Sequence, residues 1–76
     1  MEKNIKLRNK IGYGLYRERA EVNGLTQFEL ASQSGLHTNY IGQVERGEKD
    51  ITVQALSKIC NVLGISLSDF FEANDL

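Results

Sequence analysis

Proline and tryptophan are absent from the 76 residues, and cysteine and histidine occur once each, as Cys60 and His37. Without proline or alternating apolar residues, nothing interrupts a helical reading of the chain. A single cysteine cannot form an intramolecular disulfide, and with one histidine it does not supply the ligands of a structural zinc site. We expect Cys60 to be a buried core thiol, with redox sensing as the alternative. The sequence therefore predicts neither a metal ion nor a cofactor.

Long apolar runs are missing as well. No stretch approaches the roughly 18 residues that a membrane-spanning helix needs, and the N-terminus lacks the charged-then-apolar order of a signal peptide. We therefore expect a cytoplasmic protein without membrane contact. A chain of this length buries roughly 60% of its unfolded surface, so we expect one domain, 1–76, that is a helical bundle, a dimer or both.

The stretch 25–47, LTQFELASQSGLHTNYIGQVERG, has the pattern of two short helices joined by a tight turn. Thr26 and Glu29 form a T-x-x-E capping box, which predicts a helix that starts at the residue after Thr26. Gly35 can adopt the positive φ that the turn needs. A second helix, about 38–46, has one apolar side and one polar side. Two helices joined in this way form a helix-turn-helix, whose second helix enters the major groove of DNA.

The same stretch resembles the lambda-repressor-like (XRE-type) helix-turn-helix family, whose consensus runs approximately LTQ-x-x-LA-x-x-x-G-(V/L)-x-x-x-YI-x-x-(I/V)ERG. The matching positions are Leu25, Thr26, Gln27, Leu30, Ala31, Gly35, Leu36, Tyr40, Ile41, Val44, Glu45, Arg46 and Gly47. Flanking features extend the resemblance from about Ile11 to Phe71. It implies an all-α, compact five-helix lambda-repressor-like domain, with the helix-turn-helix (26–46) as its second and third helices.

Apolar periodicity predicts three further helices. The first runs from about 5 to 22. The fourth is capped by Thr52 and runs to about Leu63, and the fifth is capped by Ser66 and runs over about 67–72.

The first helix departs from the family pattern. Between Ile11 and Gly24 the chain has one residue more than expected, and Arg19 and Ala20 stand where an apolar residue and an arginine usually fall. A lengthened loop before Gly24 would explain both departures.

Three polar residues of the third helix are the expected base readers. Thr38, Asn39 and Gln43 share its exposed face, at positions where members of the family touch bases. Asparagine and glutamine can pair bidentately with adenine, and threonine can reach a base edge or a thymine methyl group. The alternative is that they are ordinary surface residues.

The resemblance also implies contacts to the DNA backbone. Gln27 begins the second helix, where free N–H groups and the helix dipole favour phosphate. Because histidine caps poorly, Thr38 could cap the third helix in place of His37 and be lost to base reading. Tyr40 fits the core better than a base stack, and Gly42 either lets the backbone approach DNA or is silent. The expected backbone contacts are Gln27, His37, Tyr40, Gly42, Arg46 and Lys49.

The charges are unevenly distributed, although the net charge is only −1. Residues 1–19 carry a net charge of +4, whereas residues 50–76 carry a net charge of −3. One end could face phosphate while the other faces away, and binding by a single copy should be weak or strongly salt-sensitive. Within the motif, Glu45 resembles the family's structural acid, and Arg17 or Arg19 is its expected partner.

The fourth and fifth helices, about 51–72, are the expected dimerisation region. A small domain cannot easily hide the adjacent rings of Phe70 and Phe71, so we expect one inside and the other against a partner. Two recognition helices related by a two-fold axis would lie about 34 Å apart and imply a palindromic operator. The residues expected at the interface are Leu56, Ile65, Leu67, Phe70 and Phe71.

The leading hypothesis is a homodimeric, sequence-specific transcriptional regulator whose partners are double-stranded DNA and a second copy of itself, with no small-molecule ligand. The stretch Ile51-Thr52-Val53 followed by Leu56 resembles controller proteins of restriction-modification systems, and small phage-type repressors overlap them. The alternative is an antitoxin or another protein-interaction module with the same fold, which the acidic net charge slightly favours. An enzyme is not expected, because the sequence shows no nucleophile elbow, metal cluster, phosphate loop or carboxylate pair at a meaningful spacing.

Overall fold

The computed structural model describes the backbone of residues 2–76 and the side chains of residues 5–76. In this range the chain is all-α, which confirms the predicted fold class. Its helices are α1 (Glu2–Tyr16), a π-helical segment (Arg17–Val22), α2 (Gln27–Ser34), α3 (Thr38–Glu45), α4 (Val53–Leu63) and α5 (Leu67–Ala73).

The predicted N-caps of α2, α4 and α5 are present. At α2 the Glu29 N–H donates to Thr26 Oγ1 at 3.0 Å, and the Thr26 N–H donates to the Glu29 carboxylate at 2.8 Å. This reciprocal bonding is the predicted capping box, and the bond from the Thr26 N–H lowers the pKa of the Glu29 carboxyl group. Thr52 and Ser66 cap α4 and α5 with single bonds of the same kind.

The first helix is less regular than predicted. Its α-helical part ends at Tyr16, and the chain continues as a π-helix to Val22, with a further bond from the Asn23 N–H to the Glu18 carbonyl at 3.1 Å. An i→i+5 turn takes one residue more than an i→i+4 turn, so the extra residue is accommodated inside the helix. The predicted lengthened loop before Gly24 is therefore wrong.

The core consists of two adjoining clusters. Ile51 and Ile65 pack against both clusters and join them, and α5 covers the smaller one. Cys60 is 2% exposed, and burial raises the pKa of its thiol to about 11, as expected for a core cysteine. The larger cluster contains Leu15, Leu30, Ala31, Ile41, Val44, Ile59 and Leu63, and the smaller one contains Leu56, Cys60 and Phe70.

α1 and the end of α3 approach each other closely at Gly12. A Cβ atom at this position would lie 2.5 Å from the Val44 carbonyl oxygen and 2.6 Å from the Glu45 carbonyl oxygen. Any other residue would have to push the two helices apart. This contact holds α1 against the last turn of α3.

A buried ion pair joins the π-helical segment to the same end of α3. Arg19 Nε and Nη2 donate to the two carboxylate oxygens of Glu45 at 2.6 and 2.9 Å, and the side chains are 10% and 5% exposed. Arg19 Nη1 also donates to the Leu25 carbonyl oxygen at 2.6 Å. The predicted pairing of Glu45 with a nearby arginine is confirmed for Arg19.

Replacing the buried arginine should cost much more stability than replacing an exposed one. We expect Arg19→Met to lower the free energy of unfolding by about 3 kcal/mol or more, because Glu45 would stay buried without its cation. The matched control is Arg8→Met. Arg8 also forms a bidentate pair, with Asp50 at 2.8 and 3.3 Å, but the Asp50 side chain is 72% exposed. Its loss should lower the free energy of unfolding far less than Arg19→Met does, in urea denaturation followed by circular dichroism, because an exposed pair is screened by solvent. Equal costs for the two variants would contradict this view of Arg19.

Candidate nucleic-acid interface

The exposed edge of α3 lies between two grooves. A groove of about 770 Å³ separates this edge from the start of α4, and a smaller one of about 150 Å³ separates it from the start of α2. Thr38, Asn39 and Gln43 line both grooves. Side chains that border the grooves on both sides of a helix lie on its crest, so the three predicted base readers share one protruding edge, called the α3 crest below.

The residue that caps α3 determines whether the Thr38 side chain is available to contact DNA. His37 occupies the N-cap position with an extended backbone, but its side chain makes no capping hydrogen bond. Thr38 is the first helical residue and is half-buried. The alternative in which Thr38 caps α3 and is lost to base reading is therefore wrong, because the backbone of His37 already fills that position.

Gln27 lines the smaller groove, and its side chain is held by Glu45. Its Nε2 donates to Glu45 Oε1 at 3.0 Å, the oxygen that also accepts from Arg19 Nη2. The first N–H groups of α2 have no acceptor within the helix and can bind an anion. The structure thus places Gln27 beside the α3 crest, and it reveals the contact with Glu45 that the sequence did not predict.

Gly42 forms the floor of the smaller groove. A Cβ atom here would lie 3.1 Å from Arg46 Nη1 and 3.3 Å from Gln27 Oε1. Two side chains predicted to contact phosphate therefore converge above a residue that has no side chain. Gly42 is itself buried, so it shapes the groove by leaving space for its neighbours.

Two cations at this surface, Arg46 and Lys49, have partners within the chain. Arg46 Nε and Nη2 donate to the carboxylate of Glu48 at 2.8 and 3.2 Å, which raises the pKa of Arg46 and lowers that of Glu48. Lys49 Nζ lies 5.8 Å from the centre of the Tyr40 ring, a cation–π contact, and Tyr40 is half-buried against the core. The sequence analysis did not predict the pair of Arg46 with Glu48. An acidic residue two positions after an arginine, with a glycine between them, could have indicated it.

Several residues opposite the α3 crest were also missed. Thr52, Gln54 and Lys58 line the far side of the larger groove, at the start of α4. The N-cap predicted at Thr52 correctly gave the start of α4, but not where α4 lies relative to α3. The position of α4 beside α3 depends on how the helices pack in the core, and the sequence pattern within one helix does not reveal that packing.

Three cations of the basic N-terminal part are engaged within the chain. Arg8 bonds Asp50, Lys10 Nζ donates to the Asp75 carbonyl oxygen at 3.2 Å, and Arg19 is buried. The side chain of Lys3, which contributed to the net charge of +4, lies outside the described part. The charge polarity seen in the sequence therefore does not translate into a free basic surface of the same strength.

The predicted dimer residues fall into two groups. Leu56 and Phe70 are 3% and 0% exposed within the chain itself, so they offer no surface to a second copy. This corrects the placing of Leu56 at the interface. Of the two rings, one was expected inside, and Phe70 is the inner one. Both residues are buried because α5 packs its inner side on α4. Ile65, Leu67 and Phe71 are half-buried and remain accessible, and the ring of Phe71 meets that of Phe70 edge to face at 6.3 Å.

Two further features are absent from the part of the chain that the structure describes. Within residues 2–76, no helix combines the length and the apolar character needed to cross a bilayer. In the same part of the chain, no group of three or more His, Cys, Asp or Glu side chains is arranged to hold a metal ion.

Comparison with known proteins gives consistent matches. The helix-turn-helix family HTH_3 matches residues 16–70. The control protein C.SmaI from Serratia marcescens is 41% identical over 51 residues, which cover 67% of this chain and 61% of that protein. The chain therefore spans less than two thirds of that relative.

Solved structures share the fold over nearly the whole chain. The clp gene regulator ClgR from Corynebacterium glutamicum has a TM-score of 0.85 and 33% identity, covering 91% of this chain and 72% of that one. A mutant of the restriction-modification controller protein C.Esp1396I has a TM-score of 0.83 and 32% identity, covering 91% and 86%.

Two glycine substitutions should show that Gly12 is required for helix packing, whereas Gly42 mainly leaves space in the smaller groove. Gly12→Ala should lower the free energy of unfolding by about 1–3 kcal/mol, because its Cβ meets backbone atoms that cannot move alone. Gly42→Ala should change it by less than about 1 kcal/mol, because its Cβ meets flexible side-chain ends and alanine favours a helix. Urea denaturation of both variants checks this, and a Gly42→Ala variant as unstable as Gly12→Ala would contradict it.

Proposed function

We propose that this chain, a DNA-binding transcriptional regulator that belongs to the HTH_3 helix-turn-helix family, acts in the cytoplasm as a homodimer on a palindromic operator. The observation that carries the proposal is the α3 crest, a row of neutral polar side chains between two grooves. A protruding helix edge of this kind suits the major groove, which is about 12 Å wide, while the flanking grooves leave space for the DNA backbone.

Base reading is assigned to Thr38, Asn39 and Gln43. Asn39 is exposed and the other two are half-buried, so all three keep accessible surface. The amide of Asn39 or Gln43 can donate to adenine N7 and accept from its N6 amino group, which discriminates by about 1–3 kcal/mol per good pair. Thr38 is within the first turn, from which a recognition helix touches bases.

Backbone contacts are assigned to both sides of the crest. Gln27 and Arg46 border the smaller groove above Gly42, and Lys49 borders the larger one. His37 and Tyr40 also line the larger groove. One strand of DNA would therefore follow the start of α2 and the other the segment between α3 and α4. Because few of these residues are cationic, binding by one copy should be weak and salt-sensitive.

Dimerisation is assigned to Ile65, Leu67 and Phe71. These side chains surround the start and outer side of α5 and are only half-covered by the chain's own smaller core cluster. A second copy related by a two-fold axis would cover them and place the two α3 crests about 34 Å apart, one turn of DNA. Linking two weak binding modules raises the effective concentration of the second, so the dimer binds far more tightly than either copy.

The likeness to C.SmaI and C.Esp1396I supports the narrower assignment to a restriction-modification controller or a small phage-type repressor. Such a regulator would respond to its own concentration. Dimers would form as the protein accumulates and would fill operators cooperatively.

The proposal is tested by binding to a duplex selected from a random library, measured at about 50 and about 200 mM salt beside a scrambled duplex. We expect tight, selective and cooperative binding of the selected duplex. Weak, unselective binding at both salt concentrations would instead favour a protein-interaction module such as an antitoxin, consistent with the acidic net charge.

The assigned roles predict different effects of single substitutions on this binding. Asn39→Ala and Gln43→Ala should each cost about 1–3 kcal/mol on the selected duplex and relax preference at particular base pairs. Lys49→Ala should weaken binding to both duplexes by the same factor and reduce the slope of log affinity against log salt concentration by about 1. Asn61→Ala, at an exposed position of α4, is the control and should change neither. Equal losses on both duplexes for all three variants would refute the roles.

The dimer surface can be tested without breaking a helix. Leu67→Glu introduces an acid at the first position of α5, where the helix dipole tolerates it, but places a charge in the apolar interface. We expect at least a tenfold weaker dimer in sedimentation equilibrium, with an unchanged circular dichroism spectrum. Phe28→Glu, near the start of α2 and 69% exposed, is the matched control. An unchanged association constant for Leu67→Glu would exclude this interface.

A further inference from the structure

We propose that Glu48 acts as an internal competitor of DNA phosphate for Arg46, and so limits the affinity of each copy for any DNA. The inference rests on the proposed function, since it takes Arg46 to be a backbone contact. On this view Glu48 opposes DNA binding, whereas the residues assigned above favour it.

The geometry is that of a guanidinium bound to an anion. Two nitrogens of Arg46 donate to the two carboxylate oxygens of Glu48, at 2.8 and 3.2 Å. Arginine uses the same fork of donors to bind a phosphate group. The carboxylate therefore occupies the Nε and Nη2 edge of the guanidinium, one of the two edges through which a phosphate could be bound in the same bidentate way, while Nη1 remains above Gly42.

Glu48 is held in this position by the backbone. Its N–H donates to the Gln43 carbonyl oxygen at 2.9 Å, and Gly47 turns the chain with a φ of +73°. The acid is therefore fixed beside the last turn of α3 and does not reach Arg46 from a distant loop. Arg46 Nη1 in turn lies above Gly42, opposite Gln27, inside the surface assigned to DNA.

The pair is exposed, which makes it a competitor and not a block. Arg46 and Glu48 are 58% and 53% exposed, and ion pairs in water contribute little to stability. A phosphate with base contacts to hold it in place can displace the carboxylate. Each such contact is nevertheless weakened, because the displaced carboxylate stays close to the phosphates. A single copy would then dissociate readily, and stable binding would depend on two copies.

The test is Glu48→Gln, measured on the selected and scrambled duplexes at the two salt concentrations. Because glutamine does not hold the guanidinium as an anion does, we expect about three- to tenfold tighter binding of both duplexes at the lower salt. The logarithmic salt slope should steepen by up to about 0.9 per bound copy, a change that a purely structural role would not produce.

Asp50→Asn is the matched control. It removes an equal charge two positions away, from the exposed pair with Arg8, and should change affinity less than about twofold. An equal gain in Asp50→Asn would reduce the effect to net charge and overturn the proposal.

The substitution is repeated in an Arg46→Ala background to identify the partner. If Glu48 acts mainly by occupying Arg46, most of the gain from Glu48→Gln should be lost there, leaving only the smaller gain from removing a negative charge near the phosphates. A gain as large as in the protein that retains Arg46 would overturn the competition. Wild-type binding with no change in Glu48→Gln would overturn this inference alone. A wild-type protein that binds neither duplex would instead overturn the proposed function.

Discussion

The buried carboxylate of Glu45 is the point on which the geometry of the interface depends. It accepts hydrogen bonds from Arg19 in the π-helical segment and from Gln27 at the start of α2, and Arg19 also holds the carbonyl oxygen of Leu25. A buried charge is tolerated only when its partners are in place. The ends of three segments are therefore fixed relative to one another, and Gln27 keeps one position beside the α3 crest.

How much of this fold could be predicted depends on the range of the interactions concerned. The capping box of Thr26 and Glu29 joins residues three positions apart, so the sequence displays it directly, and the match to the family consensus is confirmed by the comparison with HTH_3. The extra residue before Gly24 was visible, but its form was not. The residue takes the form of a π-helix that carries Arg19, and Arg19 bonds Glu45, which is 26 positions away, so the local pattern does not display this contact.

The same distinction applies to the candidate site. The shared face of Thr38, Asn39 and Gln43 follows from helical periodicity, and the structure places them on one crest. Adjacent helical residues point about 100° apart, so Phe70 and Phe71 cannot both face the core directly, and which of them does depends on where α4 lies. The bond of Arg46 with Glu48 requires the turn at Gly47, whose geometry the sequence suggests only in outline.

The low positive charge of this surface is consistent with a selective regulator on the proposed function. Non-specific binding to DNA arises almost entirely from contacts between cations and phosphates. Here the charge of Arg46 is offset by Glu48, and Lys49 and Lys58 are the other cations that line the two grooves, so the positive charge that faces the DNA is small. Random DNA would then be bound weakly, while base contacts from two α3 crests would add on a palindromic site. A net charge that is unusual for a DNA-binding chain thus favours discrimination between sites at the expense of affinity for DNA in general.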